Sequence, residues 1–228
     1  MYVLHIGNKN YSSWSLRPWV LMRTLDIPFE ERLTPFPAGS SFSLFRSFSP
    51  NGRVPCLIDD GWAVWDSLAI AEYLAERHQG VWPADARARA WARSAAAEMH
   101  SSFTALRNDC PMSCGVRVEP FPMSDDLKHD LFRLGDLWND GLARFGGPFL
   151  TGDRFTAVDA FFAPVAFRVQ SYSLTFEGAA AAYPERLLDL PAMREWYEVG
   201  LAETWREPAH EAEVHAAGTL VEDLRASA

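Results

Sequence analysis

The sequence predicts an α/β domain over residues 1–79 followed by an all-helical domain over residues 84–228. Three observations carry this. Short runs rich in β-branched and aromatic residues alternate with helical spacing as far as His78. Gln79-Gly80-Val81-Trp82-Pro83 then reads as a linker. Beyond it the patterned stretches have helical period, separated by loops.

Each element follows in order. Tyr2–Ile6 (YVLHI) is a first strand, and Gly7 to Ser13 is a polar loop. A helix runs from about Trp14 to Leu25, because Pro18 is tolerated only in a first turn. Ile27-Pro28 breaks it, and Phe29–Leu33 (FEERL) is a short charged edge strand. Pro35 to Pro50 is rich in Ser, Phe and Pro, with room for one short helix around Ser41 to Arg46. It reads as a surface connection with anchoring phenylalanines that also serves as a wall of a site. Pro55–Ile58 and Trp62–Trp65 flank Asp59-Asp60-Gly61, and Asp-Gly between such runs signals a hairpin. After Trp65 the period changes: Leu68, Ala71, Tyr73, Leu74 and Ala75 share a helix that Asp66 and Ser67 start well. Strand, helix, strand, then hairpin and helix is the thioredoxin-like arrangement.

In the second part, Ala84 to Asn108 reads as one helix without a breaker, and Cys110 to Pro122 as a loop. Ser124 caps a helix that Gly146-Gly147-Pro148 ends. Thr156 and Asp159 form a capping box for an almost wholly apolar helix. Leu190-Pro191 precedes a helix to about Trp205, and His210 to Ala228 reads as a weaker helix that frays.

Composition narrows the function. The net charge is −9, with no basic run, which argues against a nucleic-acid partner. Three cysteines, Cys56, Cys110 and Cys114, fit no zinc spacing, so no metal is expected. No apolar run approaches the roughly 18 residues of a membrane span, and no charged-then-apolar leader precedes Tyr2. The expected location is cytoplasmic.

Two places point beyond packing. Pro55 stands at the mouth of a strand, where it cannot donate a ladder hydrogen bond. One option is a cis Val54–Pro55 bond, which turns the Val54 backbone outward to pair with an extended peptide. Asp66 and Ser67 stand at a helix start, which favours an anion, and the aspartate suits an ammonium. Together they suit a small zwitterionic peptide.

Arg53-Val54-Pro55-Cys56-Leu57 and Asp66-Ser67-Leu68-Ala69-Ile70-Ala71-Glu72-Tyr73-Leu74 resemble the VPxL and (E/D)S-x-A-I-x-x-Y-L signatures of cytosolic glutathione transferases. The resemblance implies a thioredoxin-like domain followed by an all-helical one, glutathione as co-substrate, and a homodimer. It implies that Val54, before the proline Pro55, pairs with the cysteinyl backbone of glutathione, and that Asp66 and Ser67 hold the γ-glutamyl end. Arg53 is placed either for the glycyl carboxylate or as a solvated charge. Ser12-Ser13-Trp14-Ser15-Leu16-Arg17 resembles the SSxSxR motif of the zeta class, which includes maleylacetoacetate isomerases. Ser12 matches the serine that contacts the sulfur, and Ser13 is its neighbour; Trp14 stands where that class commonly has cysteine.

A serine hydroxyl that donates to the sulfur favours the thiolate. The other reading of these serines is a helix cap. The implied activity is addition of the glutathione thiolate to a small electrophile. The alternatives are glutathione-dependent cis-trans isomerisation of the maleylacetoacetate type and a non-catalytic glutathione-binding module. With no cysteine near Ser12, disulfide exchange by the protein's own thiol is disfavoured. His100, Ser101, Arg107 and Met112 lie where the first long helix ends, placed either to pack or to line an electrophile pocket.

Overall fold

The computed structural model describes residues 1–227. Its first part is a four-stranded sheet in the order β2-β1-β3-β4. Strand β1 (Tyr2–Ile6) pairs in parallel with β2 (Phe29–Leu33), and α1 (Ser13–Thr24) makes the crossover. A single turn of helix, α2 (Phe42–Phe45), lies in the Pro35–Pro50 connection. Strand β3 (Cys56–Asp59) then runs antiparallel to β1 and to β4 (Trp62–Val64). Asp59 faces Trp62 across a two-residue loop, and Asp60 and Gly61 both have positive φ, 47° and 84°. That is the backbone an Asp-Gly hairpin turn requires. Helix α3 (Ser67–Ala75) completes this part. The Val54–Pro55 bond is cis, as is Trp65–Asp66.

Helix α1 begins at Ser13, so Pro18 sits past the first turn, where it removes the N–H that the Trp14 carbonyl would accept. Packing tolerates this: Leu16, Trp19, Val20 and Met22 are all buried, and α1 lies against α7 and α9.

The second part is helical: α4 (Ala86–Ser101), α5 (Thr104–Asp109), α6 (Asp125–Phe145), α7 (Ala157–Tyr172), α8 (Tyr183–Leu188), α9 (Pro191–Ala202) and α10 (Pro208–Ala217). Helix α7 is its axis, with an almost wholly buried surface. Two details differ from the sequence expectation. The predicted 84–108 helix breaks at Ser102-Phe103, where Phe103 is left-handed (φ 59°) and buried. The Asp130 carboxylate on α6 accepts the Leu106 N–H at 3.0 Å, so a tertiary acceptor restarts the chain as α5. The second difference is a two-stranded antiparallel sheet, β5 (Val116–Pro120) with β6 (Gly218–Asp223), where a loop and a frayed helix end were expected. Gly218 starts β6 because a Cβ there would run into the Glu119 carbonyl oxygen. Ala228, the end of the expected tail helix, lies outside the described residues.

Candidate functional site

The chain from Gly7 to Ser13 leaves β1 and enters α1. Asn8 folds this loop: its carbonyl accepts the N–H of Tyr11 at 3.2 Å and of Ser12 at 2.8 Å. Ser12 occupies the cap position of α1, yet its hydroxyl caps nothing. Ser12 Oγ donates instead to Ser15 Oγ at 2.7 Å, and Ser15 Oγ also accepts the Gly7 N–H at 3.3 Å. Ser13 is half-buried, and among the described residues its hydroxyl has no hydrogen-bond partner.

Both serines line a cavity of about 330 Å³. Arg53 and Val54 line it as well, so Ser12, Ser13, Arg53 and Val54, all singled out from the sequence, border one cavity. Among the described residues, neither the N–H nor the C=O of Val54 pairs with another backbone group, since the ladder to β1 begins at Cys56. An open backbone edge of this kind accepts an extended peptide. Pro55, Asp66 and Ser67 lie outside the cavity lining. Asp66 caps α3 by accepting the Leu68 N–H at 3.1 Å, and its other oxygen lies 3.3 Å from His100 Nε2. Ser67 is buried, with an Oγ that has no partner among the described residues.

Phe36, Ser41 and Phe45 line the cavity from the Pro35–Pro50 connection, the stretch that the sequence reads as a wall of the site. What sequence reasoning missed is His210 and Glu213 from α10 and Arg168 from α7. Arg107 and Met112 also line it, whereas His100 meets Trp14 edge-on at 5.2 Å and Ser101 bonds back to the Ala97 carbonyl. His210 stacks on Tyr11 at 4.8 Å and holds Glu207 through Nδ1 at 2.7 Å.

The site's nucleophile chemistry is narrowed by what surrounds it. Tyr11 Oη donates to Glu211 Oε1 at 2.6 Å, and burial together with that bond pushes the phenol well above its ordinary value. Burial pushes the Cys110 and Cys114 thiols up to about 12, and raises Cys56 as well. None of these groups is a thiolate or phenolate near neutral pH. Among the described residues no cluster of His, Cys, Asp or Glu is placed to hold a metal ion, and no helix is long and apolar enough to cross a membrane.

Comparison with known proteins meets this geometry. Residues 11–77 match the model of the glutathione S-transferase N-terminal domain, and residues 125–199 match that of the C-terminal domain. The chain belongs to the glutathione S-transferase family. A probable maleylacetoacetate isomerase of Caenorhabditis elegans is 25% identical over 198 residues, covering 83% of this chain and 90% of that protein. Glutathione S-transferase GstA of Escherichia coli O157:H7 is 28% identical over 162 residues, covering 66% and 75%. Among solved structures, a glutathione transferase homologue from Burkholderia gl BGR1 with bound glutathione superposes with a TM-score of 0.64 at 23% identity. That match covers 87% of this chain and 97% of the other, and it establishes the shared transferase fold.

Proposed function

We propose that the chain binds glutathione in this cavity, stabilises its thiolate and adds it to a small electrophile. The observation that carries the reading is the convergence of two serine hydroxyls at the start of α1 with the unpaired Val54 edge. Glutathione laid along that edge places its cysteinyl sulfur towards the helix start, where the dipole and a donated hydrogen bond both favour a thiolate. In this reading Arg53 meets the glycyl carboxylate, and the tripeptide extends beyond the cavity lining so that Asp66 with Ser67 meet its γ-glutamyl end. The electrophile enters from the helical side, against Pro111 and Met112.

Positioning and thiolate stabilisation are the whole of the chemistry asked of the protein. The hydroxyl donates and need not ionise. Ser12 must turn from Ser15 to do this, whereas Ser13 Oγ has no bond to give up among the described residues.

The test is the ultraviolet thiolate absorbance of bound glutathione against pH, in wild type, Ser12→Ala and Ser13→Ala. A free thiol titrates near 8.5, and the bound one is expected about two units lower. Ser12→Ala should return it most of the way and cut kcat on the order of 10²-fold. A shift that survives Ser12→Ala and fails in Ser13→Ala assigns the donor to Ser13. Binding with an unshifted pKa points to a non-catalytic module, and no binding sinks the transferase reading.

A further inference from the structure

Three arginines gather where the helical part closes the cavity, and none forms an ion pair among the described residues. Arg168 and Arg107 line the cavity. Arg17 lies behind Trp14, its guanidinium carbon 4.1 Å from the Trp14 ring centre and 4.9 Å from that of Phe161. Arg107 faces the same Trp14 ring at 4.9 Å. Arg17 and Arg168 are only 2% and 4% exposed.

Their hydrogen bonds go to neutral carbonyls. Arg168 Nε donates to Cys110 O at 2.8 Å and Nη1 to Pro164 O at 3.3 Å. Arg107 Nη2 reaches the carbonyls of Met99 and His100. Arg17 Nε and Nη1 are buried with no acceptor among the described residues. Carbonyls satisfy donors without cancelling charge, and a buried charge without a counter-ion costs several kcal/mol. The cation is disfavoured accordingly: burial first, and then repulsion from Arg107, lowers Arg168 to about 10, while Arg17 falls well below its usual range. The nearby acids are engaged elsewhere, Asp66 with His100 and Asp130 with the Leu106 N–H. Among the described residues, Glu213 is the single carboxylate in the cavity lining. Positive charge held this way, without a counter-ion among the described residues and with Arg168 and Arg107 in the cavity lining, calls for an anion that comes and goes.

We propose that Arg168 and Arg107, backed by Arg17, form a subsite for a compact carboxylate on the electrophile. The assignment rests on the transferase reading of the same cavity and names the class of acceptor: a small acid rather than a neutral apolar molecule. A guanidinium suits a carboxylate because its N–H groups form a planar fork.

The test uses a matched pair, 4-chloro-3-nitrobenzoate and 4-chloro-3-nitrobenzamide. In both, the glutathione sulfur forms a bond to the chlorinated ring carbon, chloride leaves with the C–Cl electron pair, and the thiol proton passes to solvent. The readout is the ratio of kcat/KM for acid over amide, divided by the ratio of the uncatalysed rates. We expect about tenfold or more in favour of the acid in wild type. Arg168→Met and Arg107→Met should each lower that ratio about tenfold, and Arg168→Lys should restore part of it. A wild-type ratio near one overturns the proposal, as does a ratio that neither variant changes.

A second arm measures binding of 3-nitrobenzoate and 3-nitrobenzamide by quenching of tryptophan fluorescence, with S-methylglutathione present and absent. Arg168-dependent binding of the acid, with neither chloride turned over, supports the subsite and sinks only the transferase reading. If Arg168→Met weakens S-methylglutathione more than the benzoate, the arginines serve the tripeptide's own carboxylates and the proposal fails.

Discussion

Tyr11 and Ser12 are neighbours, both line the cavity, and either hydroxyl is chemically able to donate to a thiolate. Their partners separate them. Tyr11 Oη is committed to Glu211 at 2.6 Å, a charge-assisted bond to a carboxylate that it would have to give up to reach the thiolate, while Ser12 bonds only another hydroxyl. Tyr11→Phe should therefore leave the bound thiol pKa within a few tenths of wild type. It should cost about 1 to 3 kcal/mol of stability, because Glu211 loses a donor and keeps Arg225. A thiol pKa that rises in Tyr11→Phe as far as in Ser12→Ala would overturn this division. At this scale the sequence was legible where recognition is local: Ser12, Ser13, Arg53 and Val54 sit in short motifs, and they line the same cavity. Arg168, His210 and Glu213 carry no such signal. Each is one polar residue on a helix far along the chain, and only packing brings it to the cavity.

Among elements, the Thr156–Asp159 capping box shows a local signal acquiring a tertiary role. Asp159 accepts the Thr156 N–H at 3.0 Å as the box requires, and it also accepts the Leu150 N–H at 3.0 Å and Tyr183 Oη at 2.7 Å. It thus pins the preceding loop and α8 to the start of the buried helix α7. Burial outweighs these donors and pushes its carboxyl up to about 6 from an ordinary 3.8. The native state then binds a proton that the unfolded chain has released. So this residue adds stability as pH falls from 7 to about 5, a gain that flattens below 4. Asp159→Asn should remove that pH dependence. It should also cost about 2 to 4 kcal/mol, because one carboxamide nitrogen must face an N–H donor. Denaturant unfolding at pH 5 and pH 7 checks both, and an unchanged pH slope would sink the argument.

The same scale explains the two misread elements. The alternation in Val116–Pro120 spans five residues, and its partner β6 lies about a hundred residues away, so neither strand announces itself. The break between α4 and α5 has no Gly or Pro, because a buried phenylalanine and the Asp130 acceptor make it. Local period predicts local structure, and these features are set by distant partners.

Across the whole molecule, the end of the chain holds its beginning. The Glu203 carboxylate accepts the N–H groups of Lys9 at 2.7 Å and Asn10 at 3.2 Å, and Trp196 Nε1 donates to the Lys9 carbonyl at 2.9 Å. Trp205 Nε1 donates to Phe36 O at 2.8 Å. Arg225 locks this arrangement. Its side chain is 2% exposed and grips Glu211 through Nη1 at 2.6 Å and Nη2 at 2.8 Å, and Asp223 through Nε at 2.8 Å. Glu211 in turn holds Tyr11, next to the serine proposed to act. Arg225→Ala would leave two carboxylates facing each other with no cation between them, at a cost of about 3 to 5 kcal/mol. For a chain of this size that is a fall in Tm of roughly 6 to 20 °C. Because Arg225 and Glu211 meet the Gly7–Ser13 loop at the Tyr11 hydroxyl, while Glu203 and Trp196 still hold Lys9 and Asn10, the bound thiol pKa should stay within a few tenths of wild type, as in Tyr11→Phe. Arg225→Lys, which keeps the charge without the fork, should melt between the two. Acid should loosen the same clasp: the hydrogen bond from Arg225 holds the Asp223 carboxyl below its ordinary value. The clasp's contribution is therefore complete above about pH 4 and is lost as pH falls through that lowered value. An Arg225→Ala protein that melts within 2 °C of wild type would show that the tail merely rests on the site. One that melts early and also loses the thiol shift would show that the clasp sets the loop by a route other than the Tyr11 hydroxyl.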